Sequence, residues 1–394
     1  MRFSSRLPKS LEPNDFTTIL EEKKASGARI LDLTQSNPTS AGFAFSSAPP
    51  LPKKHGAADP YQPSAQGTKS ARQAIKRYYR DNHHGLIDSD DLFLTASTSE
   101  AYSFLMKLLT DPGDEILIPA PGYPLFDFLA TLENVRPTRY MLRENASGQW
   151  RIDFNSLRQQ ISSLTRAIVV VNPNNPTGSY MTSEELQQLA LLCQTHGIVL
   201  IVDEVFLDYR VSGNSAGSYS AVSNTAALTF TLSGFSKVLA LPQVKLGWIY
   251  VSGGPEDHKK MAKQRLEFIA DTYLSVNSMI QQAAAPLLAT QKAVQEEILA
   301  RIHVNELLLQ EQTEMPVCVR EGGWYAIINL PETIGDEQCC LDLLKKYSLI
   351  VHPGFFYDFA DSNRIVVSLI TPEKDFHQGL ILLDAYIRQG RTFR

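Results

Sequence analysis

Four short segments in the middle of the chain, residues 115–118, 166–171, 198–202 and 226–232, are predominantly apolar and rich in β-branched residues, with the charged Glu115 and Arg166 only at their starts. A strand with one wet face alternates apolar and polar side chains, whereas an unbroken apolar run belongs to a strand covered on both faces. Between the second and third runs lies a helical stretch, with Thr182 and Glu185 spaced as a capping box and Gly197 as its C-terminal stop. Parallel strands require such crossover helices, so the pattern predicts an α/β fold with a mostly parallel central sheet flanked by helices. Helices are also expected over 68–82 and 99–109, the second stopped by Asp111-Pro112-Gly113. Past residue 278 the grammar changes to a helix-rich stretch, strand-like 323–330, a helix near 337–346, strand-like 350–351 and 365–369, and a last helix over 376–388. That is a smaller α+β unit. We read residues 1–50 as an N-terminal arm and part of the small domain, 51–285 as the large domain and 286–394 as the small C-terminal domain. The proline-rich stretch 47–67 joins the arm to the main body.

Composition narrows the function classes. The 394 residues carry 37 Lys+Arg against 42 Asp+Glu, a net charge of −5 that gives no electrostatic footprint for nucleic acid or anionic membrane. Four cysteines without a C-x-x-C pair supply neither a disulfide scaffold nor a metal centre. The N-terminus lacks the apolar core of a signal peptide, and no run approaches the ~18 apolar residues of a membrane helix. The expectation is a cytoplasmic protein with no membrane partner.

In an open α/β sheet, ligands bind beyond the carboxyl ends of the parallel strands. Three of those ends carry chemistry. The run 166–171 is followed by Asn172-Pro173-Asn174-Asn175-Pro176-Thr177-Gly178, a fixed turn presenting amides. The run 198–202 is followed by the carboxylates Asp203 and Glu204, and the run 226–232 by Ser233-Gly234-Phe235-Ser236-Lys237. Singly, each is an ordinary loop, cap or surface charge. Following strands of one sheet, all three face one cleft. An amine that forms a Schiff base, a carboxylate that keeps a pyridine nitrogen protonated and an amide for a phenolic oxygen together suit pyridoxal phosphate.

The motifs around these ends resemble the class I/II aminotransferases, the aspartate and alanine aminotransferase group of fold type I pyridoxal phosphate enzymes. They are Tyr61-x(5)-Gly67 leading into A-R-x-A-I at 71–75, PGDEILIPAPGYP at 112–124, NPNNPTG, VDEVF, SGFSKV and R-I-V-V-S from Arg364. The resemblance implies Lys237 as the Schiff-base lysine and proton shuttle, Asp203 on the pyridinium nitrogen, Asn175 on the phenolic oxygen and Tyr123 stacked on the ring. It implies Thr98, Ser99, Ser236 and Lys245 around the phosphate, joined by Tyr61 from a second subunit, hence a homodimer. Arg364 is implied for the substrate α-carboxylate, where a planar guanidinium gives a bidentate pair, with Asn175 and Ser36 beside it.

Two residues depart from the family pattern. VDEVF usually ends in tyrosine, and Phe206 has no hydroxyl for the cofactor; Lys245 stands where the family usually has arginine. Phe206 keeps a lyase or decarboxylase on the same fold as the alternative reaction, and a catalytically silent pyridoxal phosphate-binding regulatory module is the alternative of another class. The segment 268–275 offers Asp271 but no arginine for an acidic substrate side chain, which points to neutral or aromatic amino acids. Residues 35–38 and the aromatic run Phe355-Phe356-Tyr357 are candidate pocket lining.

Overall fold

The structure is a computed structural model and describes residues 3–8, 12–43, 62–83, 85–211, 220–312, 316–361 and 363–392. Tyr61 and most of the proline-rich stretch lie outside the described residues. In chain order the strands are β1 (Leu31–Asp32), β2 (Leu92–Thr95), β3 (Glu115–Ala120), β4 (Arg136–Glu144), β5 (Trp150–Ile152), β6 (Thr165–Val171), β7 (Val199–Asp203), β8 (Thr229–Gly234) and β9 (Gly247–Ser252). They continue with β10 (Tyr325–Asn329), β11 (Leu349–Ile350), β12 (His352–Pro353) and β13 (Arg364–Ser368). One sheet has the order β2-β9-β8-β7-β6-β3-β4-β5. Its centre, β4, β3, β6, β7 and β8, is parallel; β9 runs antiparallel to β8 and β2, and β5 forms an antiparallel pair with β4.

The unbroken apolar runs have the expected cause. Along β6, Ala167, Val169 and Val171 pack toward helices Thr98–Leu109 and Glu256–Tyr273, while Ile168 and Val170 pack toward helix Ser183–His196. Each buried branched side chain contributes roughly 1.5–3 kcal/mol, which favours apolar residues on both faces of the strand. Helix Ser183–His196 carries the full capping box at Thr182 and Glu185 and ends at Gly197 in the left-handed region, φ 64°. β9 was not anticipated: Gly247–Ser252 is as apolar as its neighbours but follows the lysine loop so closely that it reads as part of it.

The smaller sheet has the order β10-β13-β12, all antiparallel. β1, from the beginning of the chain, pairs in parallel with β11 near its end, Leu31 opposite Leu349 and Asp32 opposite Ile350. Helix Ser278–Leu288 instead packs on helix Lys69–His83 through Ile280, Ala283, Ala284 and Leu287. A buried clamp joins the two sheets. Glu321, just before β10, takes Arg151 of β5 in two contacts at 2.6 and 2.9 Å and also accepts from the Tyr180 backbone N–H at 3.3 Å.

Register sets up the site. Val171 stands beside Asp203, and Asp203 beside Leu232, so β6, β7 and β8 end level and their following loops open on one rim.

Candidate active site

Lys237 owes its position to two glycines. Gly234 ends β8 opposite Gly247 of β9. A Cβ on Gly234 would stand 3.1 Å from the Gly247 Cα, and one on Gly247 would stand 3.1 Å from the Ser97 carbonyl carbon. Their bareness lets the lysine loop lie against the loop that opens helix Thr98–Leu109. One helical turn, Phe235–Val238, then brings Lys237 to a cavity of about 390 Å³, and the Tyr209 hydroxyl holds that turn by donating to the Lys237 carbonyl at 2.6 Å. The Lys237 amine donates to the Ser36 carbonyl at 3.2 Å and lies 4.5 Å from the centre of the Trp324 ring and 5.4 Å from that of Phe206. Burial pulls its pKa down to about 8. A lysine so desolvated gives up its proton readily and is the better nucleophile.

The other predicted residues line the same cavity: Asp203, Asn175, Tyr123, Thr98, Ser99, Ser236, Lys245 and Ser36. Asp203 is buried, its Oδ1 accepting from the Val205 N–H at 3.1 Å and its Oδ2 from the Tyr102 hydroxyl at 3.1 Å. Burial raises its pKa to about 6, and the two donors pull the other way. Glu204, its companion in the sequence, turns away to the Ser220 hydroxyl and the Ala221 N–H, both at 2.6 Å, and burial raises its pKa to about 7.

The NPNNPTG loop is buried, and its three amides divide the work. Asn172 accepts from the Met181 N–H at 3.0 Å, and Asn174 accepts from the Thr177 hydroxyl at 2.9 Å. Asn175 is the one spared: its Oδ1 is buried with no hydrogen-bond partner. A buried orphan acceptor costs roughly 1–3 kcal/mol unless something answers it, which marks an amide held ready for a ligand. At the far end, Ser97 is the N-cap of helix Thr98–Leu109, accepting from the Glu100 N–H, so the free amides of the first turn sit beside Lys245 as an anion site.

Not every predicted residue converges here. Arg364 lines a neighbouring cavity of about 280 Å³. Its guanidinium stacks 5.0 Å from the centre of Trp150 and 5.2 Å from that of Phe359, with Glu144 and Asp361 each at 3.5 Å. Phe355 and Phe356 line a separate cavity of about 470 Å³, and Tyr357 is buried with its hydroxyl 2.8 Å from His352 Nδ1. Sequence reasoning missed Ser97, Tyr102, Trp324 and Tyr325. Ser97 had a signal, the spacing Ser97-x-x-Glu100; Trp324 and Tyr325 arrive from the second sheet, and nothing local announces them.

A model of the aminotransferase class I and II family matches residues 54–376. The chain belongs to this family. It is 30% identical over 365 residues to the alanine aminotransferase of Mycobacterium bovis, covering 87% of this chain and 82% of that one. It is also 30% identical over 374 residues to the glutamate-pyruvate aminotransferase AlaA of Escherichia coli, with 88% and 89% covered. Among solved structures, alanine aminotransferase from Pyrococcus furiosus superposes with a TM-score of 0.85 at 23% identity, over 98% of this chain and all of that one, a likeness of fold. An aminotransferase of this family depends on pyridoxal phosphate, acts on amino acids and 2-oxo acids and has the fold type I architecture. The residues fit that cofactor: an amine, a buried carboxylate, an amide and a helix N-terminus border one cavity of suitable size. No described helix is long and apolar enough to cross a membrane.

Proposed function

We propose that this aminotransferase moves the amino group of a neutral amino acid, alanine first among them, to a 2-oxo acid, with Lys237 as the attachment point and proton carrier. The observation that carries the assignment of residues is the meeting of Lys237, Asp203 and Asn175 on one cavity. When bound, the cofactor supplies an electron sink for the bonds of the substrate α-carbon. Asp203 would keep the ring nitrogen protonated, Asn175 would donate to the ring's phenolic oxygen and Tyr123 would stack on the ring. Thr98, Ser99, Ser236 and Lys245 hold the phosphate. The Lys237 amine, with its lowered pKa, would take the α-proton and return it at C4′ of the cofactor. Arg364 would take the substrate carboxylate in place of Glu144.

Alanine is favoured by the names of the relatives and by the lining, whose described cations are the two lysines, with no arginine for an acidic side chain. Homodimerisation, with Tyr61 reaching the partner's phosphate site, is supported by the exposed Met261, Phe268, Tyr273 and Met279 on one run of chain, an apolar set that suits an interface. A large domain over 51–285 and a small one from 1–50 and 286–394 are supported by the eight-stranded sheet lying within the first and the two smaller sheets within the second, although helix Ser278–Leu288 straddles the boundary. Cytoplasmic residence accords with four free cysteines.

The test is the half-reaction. Holoenzyme given L-alanine alone should release one pyruvate per site and lose the absorbance of the lysine-linked cofactor; Lys237→Ala should bind cofactor without a borohydride-reducible link. Continuous ammonia or carbon dioxide release would overturn transamination. Sedimentation at micromolar concentration checks the dimer, and a monomer would refute it.

A further inference from the structure

We propose that Tyr102 is a positioning residue for Asp203: its hydroxyl holds the carboxylate ionised and fixes the oxygen that meets the cofactor's ring nitrogen. The inference rests on the reading of Asp203 as the partner of that nitrogen. Tyr102 lies on helix Thr98–Leu109, one turn beyond Thr98 and on the same face, so the element that presents the anion site at its tip also reaches behind Asp203. The ring is 2% exposed, and its hydroxyl donates to Asp203 Oδ2 at 3.1 Å. Phenylalanine would fill the same volume, so what needs a reason is the buried hydroxyl.

The surroundings show why a donor matters there. A buried carboxylate resists ionisation unless something compensates. The two groups that lower the proton affinity of Asp203 are the Val205 N–H and Tyr102; no cation is among them. Lys237, Lys245 and Tyr123 share its cavity, and Glu204, next along the chain, is tied to Ser220 and Ala221. Tyr102 itself stays protonated, because burial and the adjacent carboxylate push its pKa well above the usual value, so it remains a donor across the working range. Packing fixes its direction. Its ring meets Phe126 edge-on at 5.2 Å, and Phe126 meets Tyr123 edge-on at 5.7 Å. One aromatic row thereby holds Tyr123 beside the cavity and Tyr102 behind Asp203.

The probe is pyridoxine 5′-phosphate, which has the cofactor's ring nitrogen and phosphate but an alcohol in place of the aldehyde, so it binds without a bond to Lys237. Its affinity for apoenzyme is measured from pH 5 to 9, alongside the carboxyl ¹³C shift of Asp203 in labelled apoenzyme. Tyr102→Phe should raise the Asp203 midpoint by about one pH unit, and the loss of probe affinity on acidification should set in correspondingly earlier. Asp203→Asn should weaken the probe throughout and remove that step. If Asp203→Asn binds like the parent, the reading of Asp203 fails. If it weakens binding while Tyr102→Phe leaves both midpoints unmoved, the role of Tyr102 is overturned. Should Tyr102→Phe not fold, 3-fluorotyrosine at position 102, a stronger donor, must move the midpoint down; no movement refutes the proposal equally.

Discussion

Replacing Glu321 by glutamine tests whether the clamp between the sheets is an ion pair of real weight. The Glu321 side chain is 4% exposed and that of Arg151 21%. Losing one member of a buried pair costs about 3–5 kcal/mol, because the survivor keeps its charge without compensation. Arg151 has some access to water, which places Glu321→Gln near the lower end, about 3 kcal/mol. The amide still accepts from the Tyr180 N–H, so the loss reports the charge rather than the space. Removing both charges, with Arg151→Met and Glu321→Leu, should cost less than the two single changes together, with a coupling of about 1–3 kcal/mol. Urea unfolding of the apoenzyme, followed by circular dichroism and tryptophan fluorescence, measures all four corners of the cycle. A loss below about 1 kcal/mol for Glu321→Gln, or strict additivity, would show that packing and not charge joins the sheets.

Phe206→Tyr should tighten pyridoxal phosphate binding by about 2- to 10-fold, the value of one net hydrogen bond to the cofactor; weaker binding by equilibrium dialysis would mean that Trp324, 5.3 Å away ring to ring, leaves the hydroxyl no room. Glu144→Gln should lower the KM for alanine about 2- to 5-fold with kcat unchanged, since Glu144 is 35% exposed and its pair with Arg364 is a weak one; an unchanged or higher KM contradicts the exchange. Apoenzyme stability carries a pH signature as well. The folded pKa of Asp203, about 6 against 3.8, means that the native state binds the extra proton, so this group's contribution is present at low pH and lost as pH rises from about 4 through 6. Glu204 acts alike toward pH 7, and His352, whose pKa burial lowers, acts oppositely. Asp203→Asn should therefore flatten the decline in urea midpoint between pH 4.5 and 6.5; an unaltered slope would remove Asp203 from the account.

The parallel centre of the sheet was legible because burial on both faces writes itself along consecutive residues, as in 166–171 and 198–202. The residues at its rim were legible for a related reason: Asn175, Asp203 and Lys237 each follow a strand whose end the sequence marks. What escaped was whatever depends on a partner distant in the chain. Nothing near Tyr102 says that it meets Asp203, and nothing near Trp324 says that it faces Lys237. Arg364 shows the limit from the other side: its motif singles it out, yet its present partners, Glu144 and Trp150, come from a hairpin more than two hundred residues earlier. Phe355 and Phe356 do line a cavity, but not the one that holds Lys237: a single short turn, Gly354–Tyr357, leaves the first two partly exposed beside His352 and buries the third.

The parallel pairing of β1 with β11 also fixes an order of events in time. The eight strands of the large sheet are all present once residue 252 has been made. Leu31 and Asp32 must wait for Leu349 and Ile350. At a synthesis rate of about 5–20 residues per second, the wait is on the order of 15 to 60 s. During the last 5 to 20 s of it, roughly, the strand edge of β1 and the apolar Leu33 have no native partner, while the body that will carry the cofactor already has its whole sheet. A nascent chain halted between residues 252 and 349 should therefore hold a folded large sheet trailing an unsatisfied N-terminal segment, open to whatever binds extended apolar peptide.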